Sequence, residues 1–216
     1  MAHVSTPPLR VLHSVRVLGF ADTDVVAERA LVRDADAIEA LRQAEANGWV
    51  EHVDYFGIAG WTLTDPGKAE NERQLAQERV VADPGAVVAA VYREFLPLNA
   101  RLVRACSDWQ LRPTAQDSLA PNDHTDPHWD ERVLNELAAL GDAVAPLVDR
   151  LSDVLLRFSG YHARFDAALR SVRAGQHEWV DKTDVDSCHR VWFQLHEDLV
   201  ATLGIDRRTE GERVAR

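Results

Sequence analysis

The sequence has little of what marks several common classes of protein. Its only two cysteines, Cys106 and Cys188, are too few for a disulfide framework or a four-ligand zinc site. No apolar stretch approaches the roughly 20 residues of a membrane-spanning helix, and residues 1–8 lack the apolar core of a signal peptide. We therefore expect a cytoplasmic protein without membrane contact, whose two thiols are reduced and partly buried.

Motifs of the larger enzyme classes are also missing. The chain has no Gly-x-Ser-x-Gly turn, no phosphate-binding loop and no dinucleotide fingerprint. Ser187 and Cys188 precede His189 on a predicted helix, where neighbouring side chains point about 100° apart, so neither forms a nucleophile pair with it. Because no reaction class emerges, a binding or regulatory protein is favoured over an enzyme.

Positive charge is scarce. The 216 residues contain 24 Lys and Arg against 35 Asp and Glu, which gives a net charge of −11. The excess of acidic residues is spread along the chain, since the first 80 residues hold 8 basic and 13 acidic side chains and the remainder holds 16 and 22. Nucleic-acid binders neutralise phosphates with Lys and Arg, so this balance argues against a basic module, although a local basic patch can still bind DNA.

The first 80 residues alternate between helix and strand patterns. Apolar residues spaced three and four apart predict helices, and alternation of apolar with polar residues predicts strands. The predicted elements are helices over 9–18, 23–30 and 34–47, strands over 49–53 and 61–63, and a further helix that begins near Pro66. Gly19-Phe20-Ala21 is expected to end the first helix. In the third helix Ile38, Leu41 and Ala44 are expected to face inward, and Asp65-Pro66-Gly67 is expected to form a turn.

This order of elements resembles the DNA-binding domain of the MarR-type transcriptional regulators. The residues that carry the resemblance are Gly48-Trp49-Val50 and the segment Trp61-Thr62-Leu63-Thr64-Asp65-Pro66-Gly67-Lys68. It covers about residues 9–75 and implies a winged helix-turn-helix whose third helix enters the major groove of double-stranded DNA. It also implies a homodimer with recognition helices about 34 Å apart.

The resemblance assigns side chains to DNA, and the charge pattern opposes it. The expected contacts are base edges for Arg42 and Gln43, and phosphates for Arg29, Arg33 and Lys68. The exposed positions expected on the third helix are Ala35, Asp36, Ala37, Glu39, Arg42 and Gln43. Asp36 and Glu39 would repel phosphates, and residues 51–60 of the wing contain no Lys or Arg.

Two alternatives to DNA binding stay open for this segment. Winged helices also serve as protein-docking modules, for which Tyr55, Phe56 and Ile58 would supply an exposed apolar contact. The segment could otherwise be an internal scaffold of an enzyme or accessory protein.

The pattern changes after a break at Asp83-Pro84-Gly85. A long amphipathic helix starts near Ala86 and is followed by a polar loop over 112–127. Three more helices are predicted over 129–158, 161–172 and 184–203. We predict a mainly α protein of two domains: a winged helix-turn-helix over 1–80 with a small β-wing, and an α-helical bundle over 81–216 for ligand binding and dimerisation.

Polar and aromatic residues are concentrated in two segments of the predicted bundle, 122–130 and 186–198. Asp186, His189, Phe193 and His196 would share one helix face that points inward. The candidate ligand-binding residues are Trp109, Asn122, Asp123, His124, Asp126, Trp129, Asp186, His189, Trp192, Phe193 and His196.

Three interpretations of these residues compete. They could be structural, with His189 and His196 as hydrogen-bonded core histidines, and with Asp123 and Asp126 capping a helix that begins at Pro127. They could line a pocket for an aromatic or carboxylate ligand. They could hold a metal ion, although His189 and His196 are seven residues apart rather than four. We expect a transcriptional regulator that responds to a small-molecule effector, with an enzyme or accessory protein as the alternative; no cofactor is identified.

Overall fold

The computed structural model describes residues 1–55 and 57–205. In the described residues the fold is mainly helical, with a small antiparallel sheet of three strands, which confirms the prediction of a mainly α protein. The chain divides into two compact units. The first unit contains Met1–Val88, Val154–Arg157 and the chain from Glu197 onward, and the second contains Ala89–Asp153 and Phe158–His196. That 1–80 and 81–216 are separate domains stays a prediction.

Three helices open the first unit. They are α1 (Pro7–Leu18), α2 (Thr23–Ala30) and α3 (Asp34–Ala46). Two prolines occupy the first turn of α1, where a missing amide hydrogen is tolerated. Gly19, with a φ of 77°, ends the helix as the sequence predicts. Leu31 ends α2 in the left-handed conformation, with a φ of 53°.

The sheet packs against these helices. Its strands are β1 (Phe20–Ala21), β2 (Val50–Tyr55) and β3 (Ile58–Leu63), in the order β1-β3-β2. β3 pairs with both of its neighbours. Its residue Trp61 lies opposite Ala21 of β1 and opposite His52 of β2. The indole nitrogen of Trp61 donates a hydrogen bond to Thr23 Oγ1 at 2.9 Å, so the buried ring has a partner for its polar atom.

Helix α4 (Asp65–Ala82) follows β3 directly. Thr64 caps it by accepting a hydrogen bond from the Gly67 amide at 3.0 Å. The separate turn predicted at Asp65-Pro66-Gly67 is therefore wrong, because these residues form the first turn of α4. A side chain at Gly67 would place its Cβ 1.7 Å from the Trp49 carbonyl oxygen, so only glycine allows the helix to approach this close.

The core of the first unit is built from the inward faces of α1, α2 and α3 with β2 and β3. Its buried residues include Val11, Leu12, Val15, Val26, Ala27, Leu41, Val50 and Trp61. On α3 the inward residues are Ala37, Leu41 and Ala44. Ile38 is 38% exposed, so the prediction that Ile38 faces inward and Ala37 outward is wrong. The spacing of Ala37, Leu41 and Ala44 by four and three residues fits one helix face better.

The second unit is built from four helices. They are α5 (Val87–Gln110), α6 (Pro127–Val154), α7 (Tyr161–Arg173) and α8 (Cys188–Leu203). Three segments of these helices belong to the first unit: Val87–Val88 of α5, Val154 of α6 and Glu197–Leu203 of α8. The Asp83 carboxylate caps α5 by accepting from the amides of Val87 and Val88 at 2.7 and 2.9 Å. Pro97 and Pro146 lie inside α5 and α6 without ending either helix.

Aromatic rings fill the middle of the second unit. Trp192 of α8 packs on Phe95 of α5 and on Phe165 of α7, with ring centroids 5.1 and 5.6 Å apart. Gly141 of α6 faces the Phe165 ring, which a Cβ there would approach to 3.3 Å. In residues 1–55 and 57–205, no helix has the length and apolar character required to cross a membrane.

Candidate functional site

Helix α3 presents one face to solvent. Ala35, Ile38, Glu39, Arg42 and Gln43 line a shallow depression on it. The face combines an apolar centre with two side chains, Arg42 and Gln43, that suit base edges. Both predicted base-contacting residues are exposed, so the structure places them where a ligand or partner can reach them.

The charges on this helix are unevenly compensated. Arg33, just before α3, donates two hydrogen bonds to the Asp36 carboxylate at 2.7 and 2.8 Å. The hydrogen bond from the guanidinium lowers the pKa of Asp36 and in turn raises the pKa of Arg33. Arg42 forms no ion pair with any residue in the described ranges, whereas Glu39 and Glu45 are exposed carboxylates on the same helix. The solvent-facing surface of α3 is therefore acidic overall.

The other two residues assigned to phosphates lie in different surroundings. Lys68 is exposed on α4, beside Thr62, Thr64 and Asp65 around a second depression. Arg29 of α2 is half-buried, and its charge lowers the pKa of a buried aspartate, Asp198. Lys68 is thus accessible to a phosphate, while Arg29 contributes to the electrostatics of the interior.

The segment that was predicted to form the wing, residues 51–60, is only partly described. His52 packs edge-on against Trp61, with ring centroids 4.8 Å apart. The side chains of Tyr55, Phe56 and Ile58, which the docking alternative requires, lie outside the described part of the structure.

A buried polar cluster in the first unit was not predicted from the sequence. The His13 ring lies between Asn71 and Asp198, with Nδ1 3.2 Å from Asn71 Oδ1 and Nε2 3.0 Å from Asp198 Oδ1. Arg157 Nε donates to Asp198 at 3.3 Å, and its Nη1 donates to Glu78 at 2.6 Å. These five residues connect α1, α4, the segment Val154–Arg157 and the end of α8.

Asp198 is the centre of this buried cluster. It is 1% exposed, and burial alone would raise its pKa. The positive charges of His13 and Arg157 outweigh this effect and hold the pKa of Asp198 below its ordinary value. No sequence pattern reveals the cluster, because its contacts join residues that are far apart along the chain. His13 and Asn71 are separated by 58 residues, and Arg157 and Asp198 by 41.

The predicted ligand site divides into two groups of contacts. The first surrounds His124, which has a φ of 56°. Its Nδ1 lies 3.0 Å from Asp130 Oδ2, and the Asn122 amide donates to Asp130 Oδ1 at 2.9 Å. The His124 ring packs on Trp109 and faces His177, with centroids 4.5 and 5.9 Å away. Asp130 and His177 were not among the predicted site residues.

The neighbouring predicted residues have structural roles. Asp126 Oδ1 accepts from the amides of His128 and Trp129 at 3.1 and 3.3 Å, which confirms it as the cap of α6. Asp123 instead accepts from the amide and hydroxyl of Thr125 at 3.1 and 2.7 Å, which lowers the pKa of its carboxyl. The Trp129 indole donates to the Asp108 carbonyl at 2.6 Å.

The second group lies on and before α8. This helix starts at Cys188, so the prediction that it starts at 184 is wrong. Asp186 precedes the helix and accepts two hydrogen bonds from Arg164 at 2.7 and 2.8 Å. His196 packs on Phe95, with centroids 5.4 Å apart, but Phe193 is 45% exposed. The predicted single inward face of α8 is therefore also wrong.

The inward face of α8 is instead formed by Cys188, Val191, Trp192, Leu195 and Leu199. The Trp192 indole donates to Asn99 Oδ1 at 3.1 Å, and His189 is half-buried. In the described chain, no three His, Cys, Asp or Glu side chains are grouped so as to hold a metal ion. Asn122 and His124 both contact Trp109. His196 packs on Phe95, which in turn packs on Trp192.

Comparison with known proteins gives no relative. No protein-family model, no curated protein and no solved structure matches this chain. Its function therefore has to be argued from its own residues.

Proposed function

We propose that this protein is a DNA-binding transcriptional regulator whose first unit is a winged helix-turn-helix. The observation that carries the proposal is the order of elements, α1-β1-α2-α3-β2-β3, with β1 and β2 on either side of β3. In helix-turn-helix proteins the helix after the turn enters the major groove. By this analogy α3 is the recognition helix, β2 and β3 form the wing, and the protein acts as a homodimer.

The accessible side chains support a small set of contacts. Arg42 and Gln43 are exposed on α3 and can read base edges, and Lys68 can reach a phosphate. Arg33 becomes available only if a phosphate replaces Asp36 as its partner. Arg29 is left out of the proposed interface, because it is half-buried.

This inventory predicts a shallow salt dependence. The logarithm of affinity falls with the logarithm of salt concentration by about 0.9 for each neutralised phosphate. If Arg33 and Lys68 of each protomer each neutralise one phosphate, a dimer has a slope of about −3.6. The full chain should be titrated with duplex DNA from upstream of its own coding sequence, using fluorescence anisotropy between low and physiological salt.

Substitutions on α3 test the proposal directly. Arg42→Ala with Gln43→Ala should remove roughly 1–3 kcal/mol of sequence preference per contact. Arg104→Ala is the control, because Arg104 is an exposed arginine of the second unit. Unchanged affinity in the α3 variant, or an equal loss in the control, would count against insertion of α3 into the groove.

A docking role for the first unit is the second candidate, and the acidic surface of α3 favours it. Glu39→Gln separates the two functions by the sign of its effect. If α3 meets phosphates, removing this negative charge should strengthen DNA binding. Absence of DNA binding at low salt, by both the protein and the Glu39→Gln variant, would leave docking as the better explanation.

We also propose that a small-molecule effector regulates binding. The sequence places its site in the second unit, where His189→Ala and His196→Ala should then lose the response to the effector and keep the fold. Retained effector affinity in both variants would contradict that location.

A further inference from the structure

The first unit contains an open groove of about 900 Å³. It lies between the start of α1, the turn that joins α2 to α3, and the side of α3 next to Trp49. Most of its lining residues are apolar, among them Pro7, Leu12, Leu31, Val32, Ala40 and Trp49. Small-molecule sites in proteins commonly have volumes of about 300–1,000 Å³ and apolar walls, so the groove has a suitable size.

Leu31 is an unusual residue for its position in this groove. It ends α2 with a φ of 53°, a left-handed conformation that glycine or asparagine adopts at lower cost. Leu31 is 70% exposed and lines the groove. A large apolar side chain is thus held in an unfavourable backbone conformation and in contact with water. Both features fit a residue whose role is to contact an apolar ligand.

The charged residues that line the groove are Arg10, Arg33, Asp36 and Glu39, and Arg10 is the cation next to Leu31. Its Nη1 donates to the Leu31 carbonyl at 3.3 Å, while its buried Nε has no hydrogen-bond partner within residues 1–55 and 57–205. Arg10 also forms no ion pair with a carboxylate in those ranges, whereas Arg33 at the same groove is bound to Asp36. A half-buried cation without a counter-ion beside apolar walls is unfavourable, and an anion placed in the groove would compensate it.

We propose that this groove binds a small apolar carboxylic acid. Its carboxylate pairs with Arg10, and its apolar body covers Leu31 and Trp49. Because Ala40, Gln43 and Ala44 of α3 line the same groove, the ligand also contacts the helix that carries Arg42. Binding of the acid does not depend on the proposed function. Only an effect of the acid on DNA affinity rests on it.

Calorimetric titration of the full chain tests the charge requirement. The probe is adamantane-1-carboxylate, and the neutral control is adamantane-1-carboxamide, which has nearly the same shape. A charge-assisted hydrogen bond is worth enough for a preference of about tenfold or more for the acid. Arg10→Gln should abolish this preference by weakening only the acid, and Arg104→Gln, on the exposed surface of α5, should preserve it. Equal affinity for acid and amide, or a preference that survives Arg10→Gln, would overturn the proposal.

Leu31→Gly tests the apolar contact without the ambiguity of an unfolded variant. Glycine relieves the left-handed conformation, so the thermal midpoint of the free protein should rise or stay unchanged. Affinity for both probes should fall about fivefold or more, because a buried aliphatic contact is lost. Full affinity in a stable Leu31→Gly protein would overturn the proposal. So would a change in self-association without a change in probe binding, which would indicate a second copy of the chain as occupant.

The probes also separate this proposal from the proposed function. If the acid binds but the protein binds no DNA, the groove assignment holds and the regulator assignment fails. If DNA binds and the acid does not, the groove assignment fails alone. If both bind, saturation with the acid should shift DNA affinity in the wild-type protein, and in Arg10→Gln the same shift should require an acid concentration about tenfold higher or more.

Discussion

Replacing Asp198 by asparagine should destabilise the protein more than its conservative shape suggests. The carboxylate is buried beside His13 Nε2 at 3.0 Å and Arg157 Nε at 3.3 Å. Asparagine fills the same space but carries no charge, so His13 and Arg157 lose their shared partner. Arg157 keeps its ion pair with Glu78 at 2.6 Å, which limits the damage.

The magnitude follows from these contacts. Removing one member of a buried ion pair typically costs 3–5 kcal/mol. Because the asparagine oxygen can still accept a hydrogen bond and Arg157 retains Glu78, we expect the lower end, about 3 kcal/mol. In a chain of this length that corresponds to a fall in the thermal midpoint of roughly 6–12 °C.

Urea unfolding of the wild-type protein and of Asp198→Asn, followed by circular dichroism and fluorescence, measures this difference. The matched control is Glu45→Gln, since Glu45 is an exposed carboxylate on α3 and should change stability by no more than about 0.5 kcal/mol. A loss below about 1 kcal/mol in Asp198→Asn, or one equal to the control, would refute the view that the buried cluster stabilises the fold.

The difference should also depend on pH in a defined direction. The surrounding positive charges lower the pKa of Asp198 in the folded state. Its stabilising effect is therefore present above the unfolded pKa of about 3.9 and is lost as the pH falls toward the folded pKa. The gap between wild-type protein and Asp198→Asn should persist at pH 7 and shrink below about pH 4; a gap that widens on acidification would have the wrong sign.

Two further predictions follow from close packing. Gly67→Ala should lower the free energy of unfolding by more than about 3 kcal/mol in thermal or urea unfolding, because its Cβ would lie 1.7 Å from the Trp49 carbonyl oxygen. The matched change Gly85→Ala should be nearly neutral, because the nearest neighbour of its Cβ would be 3.9 Å away. Burial raises the pKa of the Cys106 and Cys188 thiols to about 12, so at pH 8 both should react with a disulfide reagent far more slowly in the folded protein than in urea; a rapidly modified native thiol would contradict this.

Local patterns predicted most of the elements. Helices α1 and α3 were found from apolar spacing, and Gly19 marked the end of α1 because a left-handed residue there favours glycine. Strand β1 was missed, since two residues carry no periodicity and its pairing with Thr62 and Trp61 is 40 residues distant or more. Such a strand exists only through its tertiary partners.

Errors in the predicted site have the same physical origin. Asp186 was placed on a helix with His189, but two hydrogen bonds from Arg164 hold it ahead of the helix start. Phe193 was placed inward because it is apolar, although Cys188, Trp192 and Leu195 define the buried face of α8. Which of several amphipathic faces is buried depends on the partner helices, and the sequence of one helix does not specify them.

The buried cluster also determines how the proposed function has to be tested. The first unit is discontinuous, since it takes Arg157 and Asp198 from segments far from residues 1–88. A fragment that ends near residue 88 would keep His13 and Glu78 in the interior and lose the residues that pair with them. It would also lose Ala201, which packs with Leu9 and Leu75. Because uncompensated buried charge is costly, such a fragment should be far less stable than the same residues in the full chain. If the fragment failed to bind DNA, the cause would be its low stability rather than the surface of α3. The DNA and ligand titrations therefore need the full chain.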